Sequence, residues 1–483
     1  MKRIFYFIVT WMIFVSSVVF VGCKKEENPH SRYEIIVEYA EETKTLMGTL
    51  KVTFENQTDN EICLLKFQLY PNAYRKNALY KPVGGAMESS AYYDGESYGE
   101  MVISSVHGAK NWEVMGEDEN ILYVDLERSI YPGESVVLDI GFMTKLANVN
   151  HRTGVTSKTV NLGNFYPILC GIKNGEFKEV CYHSIGEPFF SDFSDYKVTL
   201  TLPKEYVVAS SGVLDEERML ESKKEYTMSA TNVRNFGMVL SKNFRVLQEK
   251  MAEKTLRYYY YDDVAPEATM EIIKESFAFY EKTFGEYPYM EYAVAETGLC
   301  MDEGGYSALT LVTDGLTKAT RSRVISRGGA YQWWSEGIGS DKIENAWQGE
   351  GMAEYSAILF FENYEKYGFT REGLIKNAVA EYRSYYDVYG SVLGRTDTRM
   401  MRELSEYASE YEYKCLTRDK AVIMLDALRK SVGDEKFFSS MKRYYKANLY
   451  KLTGVGDLVG AFEKNSLDVG GFFESFLQGK GGL

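Results

Sequence analysis

Near residue 245 the spacing of apolar residues changes from every second position to one helical turn, and that switch limits the fold more than any single motif. Before it, Tyr33, Ile35, Val37 and Tyr39 alternate with polar residues, as do Leu50, Val52 and Phe54, the period of half-buried strands. Asn174-Gly175 is a hairpin-turn pair between Phe165–Ile172 and Phe177–His183, and Tyr196–Leu202 alternates again until Pro203. One more strand, Leu256–Tyr261, leads to Pro266, a residue suited to a helix start. Met270, Ile273, Phe277 and Tyr280 then recur at helical spacing, and Gly285 ends the run. Met352–Tyr367, Ala421–Val432 and Glu435–Tyr445 continue the helical pattern. The expected class is α+β: an N-terminal β-sandwich or saddle-shaped domain over residues 32–245 and a mostly helical domain over 246–483.

The N-terminus carries an address. Lys2 and Arg3 precede an uncharged, mainly apolar run from Ile4 to Val21, followed by Gly22-Cys23-Lys24-Lys25. Phe20-Val21-Gly22-Cys23 resembles a bacterial lipobox, which implies a lipoprotein signal over residues 1–23, a lipid on Cys23 and a short tether over 24–31. An uncleaved membrane-spanning anchor is the other reading. Either places the mature chain on the extracytoplasmic face of a bacterial cell membrane. A formal charge of −14 argues against a nucleic-acid partner, which needs a basic patch. Cys63, Cys170, Cys181, Cys300 and Cys415 are odd in number and scattered, so at least one free thiol and mostly buried, unpaired cysteines are expected.

Between Ser326 and Tyr355 the chain reads SRGGAYQWWSEGIGSDKIENAWQGEGMAEY. Gln332-Trp333-Trp334, Asp341, Trp347 and Glu350-Gly351 resemble the flanks of the zinc motif in the aminopeptidase N-like gluzincin family. Gln68-Leu-Tyr-Pro-Asn-Ala73, His183-Ser-Ile-Gly-Glu-Pro-Phe189, Asp195-Tyr-Lys-Val198, Phe284-Gly-Glu-Tyr-Pro-Tyr289 and Lys420 with Met424-Leu425 and Gly433-Asp434 are similar to further family segments, in the same order. The resemblance spans nearly all of the mature chain and implies a thermolysin-like gluzincin domain over 246–483.

The family's chemistry is carried by H-E-x-x-H on a helix, with a third ligand nineteen residues on. In that frame Arg327 and Tyr331 stand at the histidine positions, Gly328 at the general base, and Glu350 at the third ligand. Aligned on Tyr306, the amine-binding glutamate has become Gly305, with Glu303 on the same strand face. Arg418 stands where the family has its catalytic tyrosine. Only Glu350 is retained, and the four histidines, His30, His107, His151 and His183, all precede the helical domain. Catalytic zinc needs three protein ligands, so no cofactor is expected, zinc entering only if the chain is an active aminopeptidase.

The resemblance therefore implies a catalytically inactive, lipid-anchored family member that binds a peptide or protein partner. An active zinc aminopeptidase and an accessory lipoprotein of a membrane complex are the alternatives. The candidate groove comprises Glu303, Tyr306, Arg327, Tyr331, Glu350 and Arg418, and it is expected to be open, since the chain ends at Leu483 without a C-terminal helical-repeat domain. Arg327 is expected to pair with Glu350, its planar fork replacing the metal, with Tyr331 packed alongside. Glu336, Asp341, Glu344 and Glu354 read as a solvated helix face, Trp333 and Trp334 as core, and His183 as a hydrogen-bonded structural residue.

Overall fold

The computed structural model describes residues 30–394 and 396–481; the signal, Cys23 and most of the tether lie outside the described residues. The strand Arg32–Ala40 buries every second residue, because its alternating pattern turns Tyr33, Ile35, Val37 and Tyr39 onto one face. It is central to a seven-stranded sheet, parallel to Ser194–Pro203 and antiparallel to Thr45–Glu55. Two four-stranded sheets complete the β-structure, one of them built on Ile62–Gln68 and Ile121–Ile130, the other on Val160–Leu162 and Met238–Ser241. The Asn174-Gly175 turn forms as expected, with both residues at positive φ. Its hairpin is only Ile172–Lys173 paired with Glu176–Phe177, far shorter than the flanking apolar runs suggest.

A five-stranded sheet then seats the helices: Arg245–Met251, Lys254–Tyr260, Glu291–Thr297, Leu309–Thr313 and, at the edge, Glu303–Tyr306. The helix Pro266–Phe284 starts at its proline and stops at Gly285, whose φ of 137° suits a residue without a β-carbon. The helices Lys318–Tyr331, Ala346–Asn363, Arg371–Leu393, Lys420–Val432 and Asp434–Asn448 follow. The run expected over Met352–Tyr367 begins earlier, at Ala346, and breaks at Tyr364. The whole is α+β, a multi-sheet β domain followed by a helical one.

One apolar cluster runs without interruption from Tyr33 and Leu200 in the sheets to Trp333 and Leu425 in the helices. Trp333 and Trp334 are core, each donating its indole N–H, to Gly285 O at 3.0 Å and Ser356 Oγ at 2.8 Å. Polar contacts add to this apolar union. Lys173 and Lys178 of the hairpin reach Asp341 and Glu344 across the interface at 2.5–2.9 Å. Cys170 and Cys415 are buried, but Cys63 and Cys181 are exposed and Cys300 is half-buried, so burial does not hold for most of the thiols; all five are free. No helix among the described residues is long and apolar enough to cross a membrane.

Candidate functional site

Four elements bring the predicted residues together. The edge strand Glu303–Tyr306 contributes Glu303 and Gly305, which share a face. The helix Lys318–Tyr331 contributes Arg327, Gly328 and Tyr331, and then widens into a π-helical turn over Gln332–Gly337. The helix Ala346–Asn363 presents Glu350 and Glu354 one turn apart. Arg418 enters from a second π-helical turn, Cys415–Asp419, the kind of local widening that re-aims a side chain. Glu303, Gly305, Gly328, Tyr331, Glu350 and Arg418 line one cavity, and Arg327 lines an adjoining one.

The pairing differs from the one the spacing suggests. Arg327 does not hold Glu350. Its Nε donates to Glu303 Oε1 at 2.6 Å, and its Nη1 lies 3.4 Å from Glu354 Oε2. Arg418 holds Glu350 instead, Nε to Oε2 at 2.7 Å. The reason is direction. Glu303 approaches from the sheet and Glu354 lies a turn beyond Glu350, so they take the Arg327 fork first, while Arg418 comes from the π-helical turn Cys415–Asp419 directly onto Glu350.

Tyr331 packs elsewhere too. Its hydroxyl donates to Glu187 Oε2 at 2.9 Å, and Glu187 also accepts from Lys342 at 2.9 Å and Arg152 at 3.2 Å. Lys342 in turn meets Glu336 at 2.9 Å. Burial drives the Glu187 carboxyl up, but Lys342 and Arg152 outweigh it and hold the group down at about 2. For Glu303 burial wins over Arg327 and Arg418, and its carboxyl is raised. Glu354 is lowered, because Arg327 and Arg323 outweigh the cost of burial.

Three further expectations are corrected. Glu336 is fully buried and salt-bridged, and Asp341, Glu344 and Glu354 each hold a cation, so this cluster is not a solvated helix face. Tyr306 does not line the groove. It is 1% exposed, and β-carbons at Gly163 and Gly237 would fall on its ring or hydroxyl, so it is a wedge between the domains. The groove is not open at the site: its cavities are about 30 Å³ and 40 Å³, room for little more than water. Arg152, Glu187 and Lys342 were missed as site residues. Glu187 sits inside a family-like segment, which was the available signal; Arg152 and Lys342 carry none. His183 has its expected structural place, its Nδ1 3.2 Å from the Ile185 N–H.

Residues 306–476 match the Peptidase family M1 domain. That match, together with the fold, supports the aminopeptidase N-like gluzincin family for this segment of the chain. Among solved structures it is similar to an M1 zinc metallopeptidase from Deinococcus radiodurans, at 16% identity over 94% of each chain with a TM-score of 0.65. A mutant of the Deinococcus radiodurans M1 zinc metallopeptidase bound to a Tyr-Ser-Ala substrate matches at 15% identity, 94% of each chain and a TM-score of 0.64. A two-domain M1 zinc metallopeptidase mutant bound to L-tryptophan matches at 15%, 94% of each chain and 0.61. At such identity these structures speak for the fold. No curated protein matches the chain.

These matches correct the expectation of no cofactor, because the solved relatives are zinc metallopeptidases and the family points to zinc. The residues gathered here do not fit that ion. Arg418 occupies Glu350, guanidinium and phenol groups stand at the two histidine positions, and His151, the buried histidine, is engaged with Tyr74 at 2.6 Å. Among the described residues no group of three histidine, cysteine or acidic side chains converges with metal-binding geometry.

Proposed function

We propose that this chain is a non-hydrolysing member of peptidase family M1 that acts as a binding protein, tethered through a lipid on Cys23 at the extracytoplasmic face of a bacterial cell membrane. The observation that carries the reading is the arginine seal: Glu303, Glu350 and Glu354 each meet a guanidinium at the heart of the site. Peptide hydrolysis needs a base for the attacking water and a donor for the developing oxyanion. At the base position Gly328 has no acid, and the space where a side chain would begin belongs to Thr310, whose Cγ2 lies 2.6 Å from the place of a β-carbon. Arginine-held carboxylates are poor substitutes, since a base must be free to take a proton. The small cavities favour a protein surface as the partner over an extended peptide threaded through the cleft.

Family membership favours a second reading, an active zinc aminopeptidase. Purified residues 24–483, supplied with zinc and a panel of amino-acid amides, separate the two. No release above the blank is expected; turnover that rises with zinc and is lost in Glu350→Gln establishes the second reading. The tether is checked independently: Cys23→Ser is expected to move the protein from the membrane to the soluble fraction.

A further inference from the structure

A roomy pocket of the β domain lies in the excursion between residues 73 and 98, away from the M1 centre. It encloses about 500 Å³, within the range of small-ligand sites and far larger than the space at the arginine seal. The loop around it is held open by the fold. Gly99 N–H donates to Tyr74 O, Asn150 N–H to Ala91 O, and Asn148 N–H to Ser97 Oγ, all at 2.7–3.0 Å. On the other side the N–H groups of Leu79 and Tyr80 are fixed by the Asp118 carboxylate at 2.7 and 2.9 Å. A pocket pinned at each end costs little ordering when a ligand enters.

Its walls define the ligand chemistry. Tyr92 and Tyr98 are half-buried and present aromatic surface. Arg75 is already tied to Glu119 at 2.9 Å, and Tyr98 Oη donates to Glu96 at 2.7 Å. The side chains of Lys81, Glu88 and Ser89 have no hydrogen-bond or ion-pair partner among the described residues. Cations and carboxylates balance, so a charged ligand would meet repulsion wherever it met attraction. A lipid chain would leave the free ammonium, carboxylate and hydroxyl without partners. An uncharged, polyhydroxylated ligand meets neither difficulty: its C–H faces stack on tyrosine rings and its hydroxyls both donate and accept.

We infer that this pocket binds a neutral oligosaccharide, at a site separate from the M1 centre. The test is isothermal titration of purified residues 24–483 with chitotriose, cellotriose and maltotriose. At least one is expected to bind saturably at one site. Tyr92→Ala and Tyr98→Ala should each weaken it at least tenfold, while Tyr98→Phe, which keeps the ring, and Tyr131→Ala, an exposed tyrosine elsewhere, should leave it within twofold. Circular dichroism melts identify any variant that fails to fold, and Tyr98→Phe then carries the comparison with a Tyr92→Phe partner. Saturable heat from none of the three sugars, or binding unchanged by both alanine variants, overturns the inference. So does a pocket that takes acetylated hexaglutamate or hexalysine peptides in place of sugars.

Discussion

Arg418→Ala tests the arginine seal most directly. The Arg418 side chain is 17% exposed and that of Glu350 9%, and they meet at 2.7 Å. Removing one partner of a buried pair leaves the other charge without compensation, a loss of about 3–5 kcal/mol, and residual exposure places this pair near the lower end, about 3 kcal/mol. For a helical domain of this size that corresponds to a fall in thermal midpoint of roughly 6–10 °C. Glu350→Gln in the same chain removes the stranded charge, so the double variant should recover most of the loss, with a coupling of about 2 kcal/mol in a double-mutant cycle. Arg327→Ala should behave differently. Glu354 keeps Arg323 at 3.0 Å, and Glu303, whose carboxyl is already raised by burial, can take a proton instead of remaining charged. Its cost should therefore shrink on mild acidification and show no coupling to Glu350→Gln. Urea and thermal melts of the six proteins give all the terms. An Arg418→Ala protein as stable as its parent, or coupling that follows Arg327 instead, refutes the pairing.

Two further outcomes follow from the same packing. Gly328→Glu should destabilise by about 1–3 kcal/mol through overpacking against Thr310, and Thr310→Ala in the same chain should return much of it, measured by melts. On acidification the pH profile should fall steeply below about 4. Burial lowers His151 to about 3, so its stabilising contribution is lost as pH falls from 6.5; burial raises Asp419 to about 7, so its contribution is lost as pH rises from 3.8; the two oppose each other between these limits, and Glu187 joins His151 below 4.5. Relative to its parent, Asp419→Asn should steepen the loss of stability on acidification between pH 4.5 and 6.5, by up to about 1.4 kcal/mol per pH unit in melts; a profile parallel to the parent's would show the opposition to be absent.

Local rules made the fold legible and long-range ones hid the site's pairing. Alternation at Tyr33–Tyr39 located a central strand because one face of that sheet is buried, and Pro266 and Gly285 marked a helix because each suits its terminus. Glu303, Gly305, Gly328, Tyr331, Glu350 and Arg418 were placed in one cavity by a spacing that the family frame preserves. What spacing does not contain is which guanidinium reaches which carboxylate. Arg327 lies one turn before Tyr331, but its partner is set by an edge strand that arrives from residues 303–306. The acidic residues at 336–354 look solvated when read along the chain, because most of their cations, Lys173, Lys178 and Arg323, come from other elements. Arg152 and Lys342 both pair with Glu187, Arg152 also lining the cavity itself and Lys342 lying over the Tyr331 ring.

The geometry that lets Arg418 take Glu350 is written in a small residue rather than a charged one. At Gly351 a β-carbon would fall on Ala421 and lie 2.8 Å from Thr417 O, so the helices Ala346–Asn363 and Lys420–Val432 cross as closely as backbones allow. Arg418 sits on the π-helical turn that leads into the second of these helices. Close crossing there brings its Nε to Glu350 without extending the side chain over open water. Gly328 against Thr310 and Gly351 against Ala421 thus fix backbone distances independently of what the neighbouring side chains do chemically. That separation explains how one framework, sealed by Trp333, Trp334 and Leu425 in the core, matches zinc metallopeptidases over 94% of its length while carrying arginines at its centre. The scaffold is specified by small and aromatic residues; the chemistry rests on a handful of polar ones that packing does not constrain.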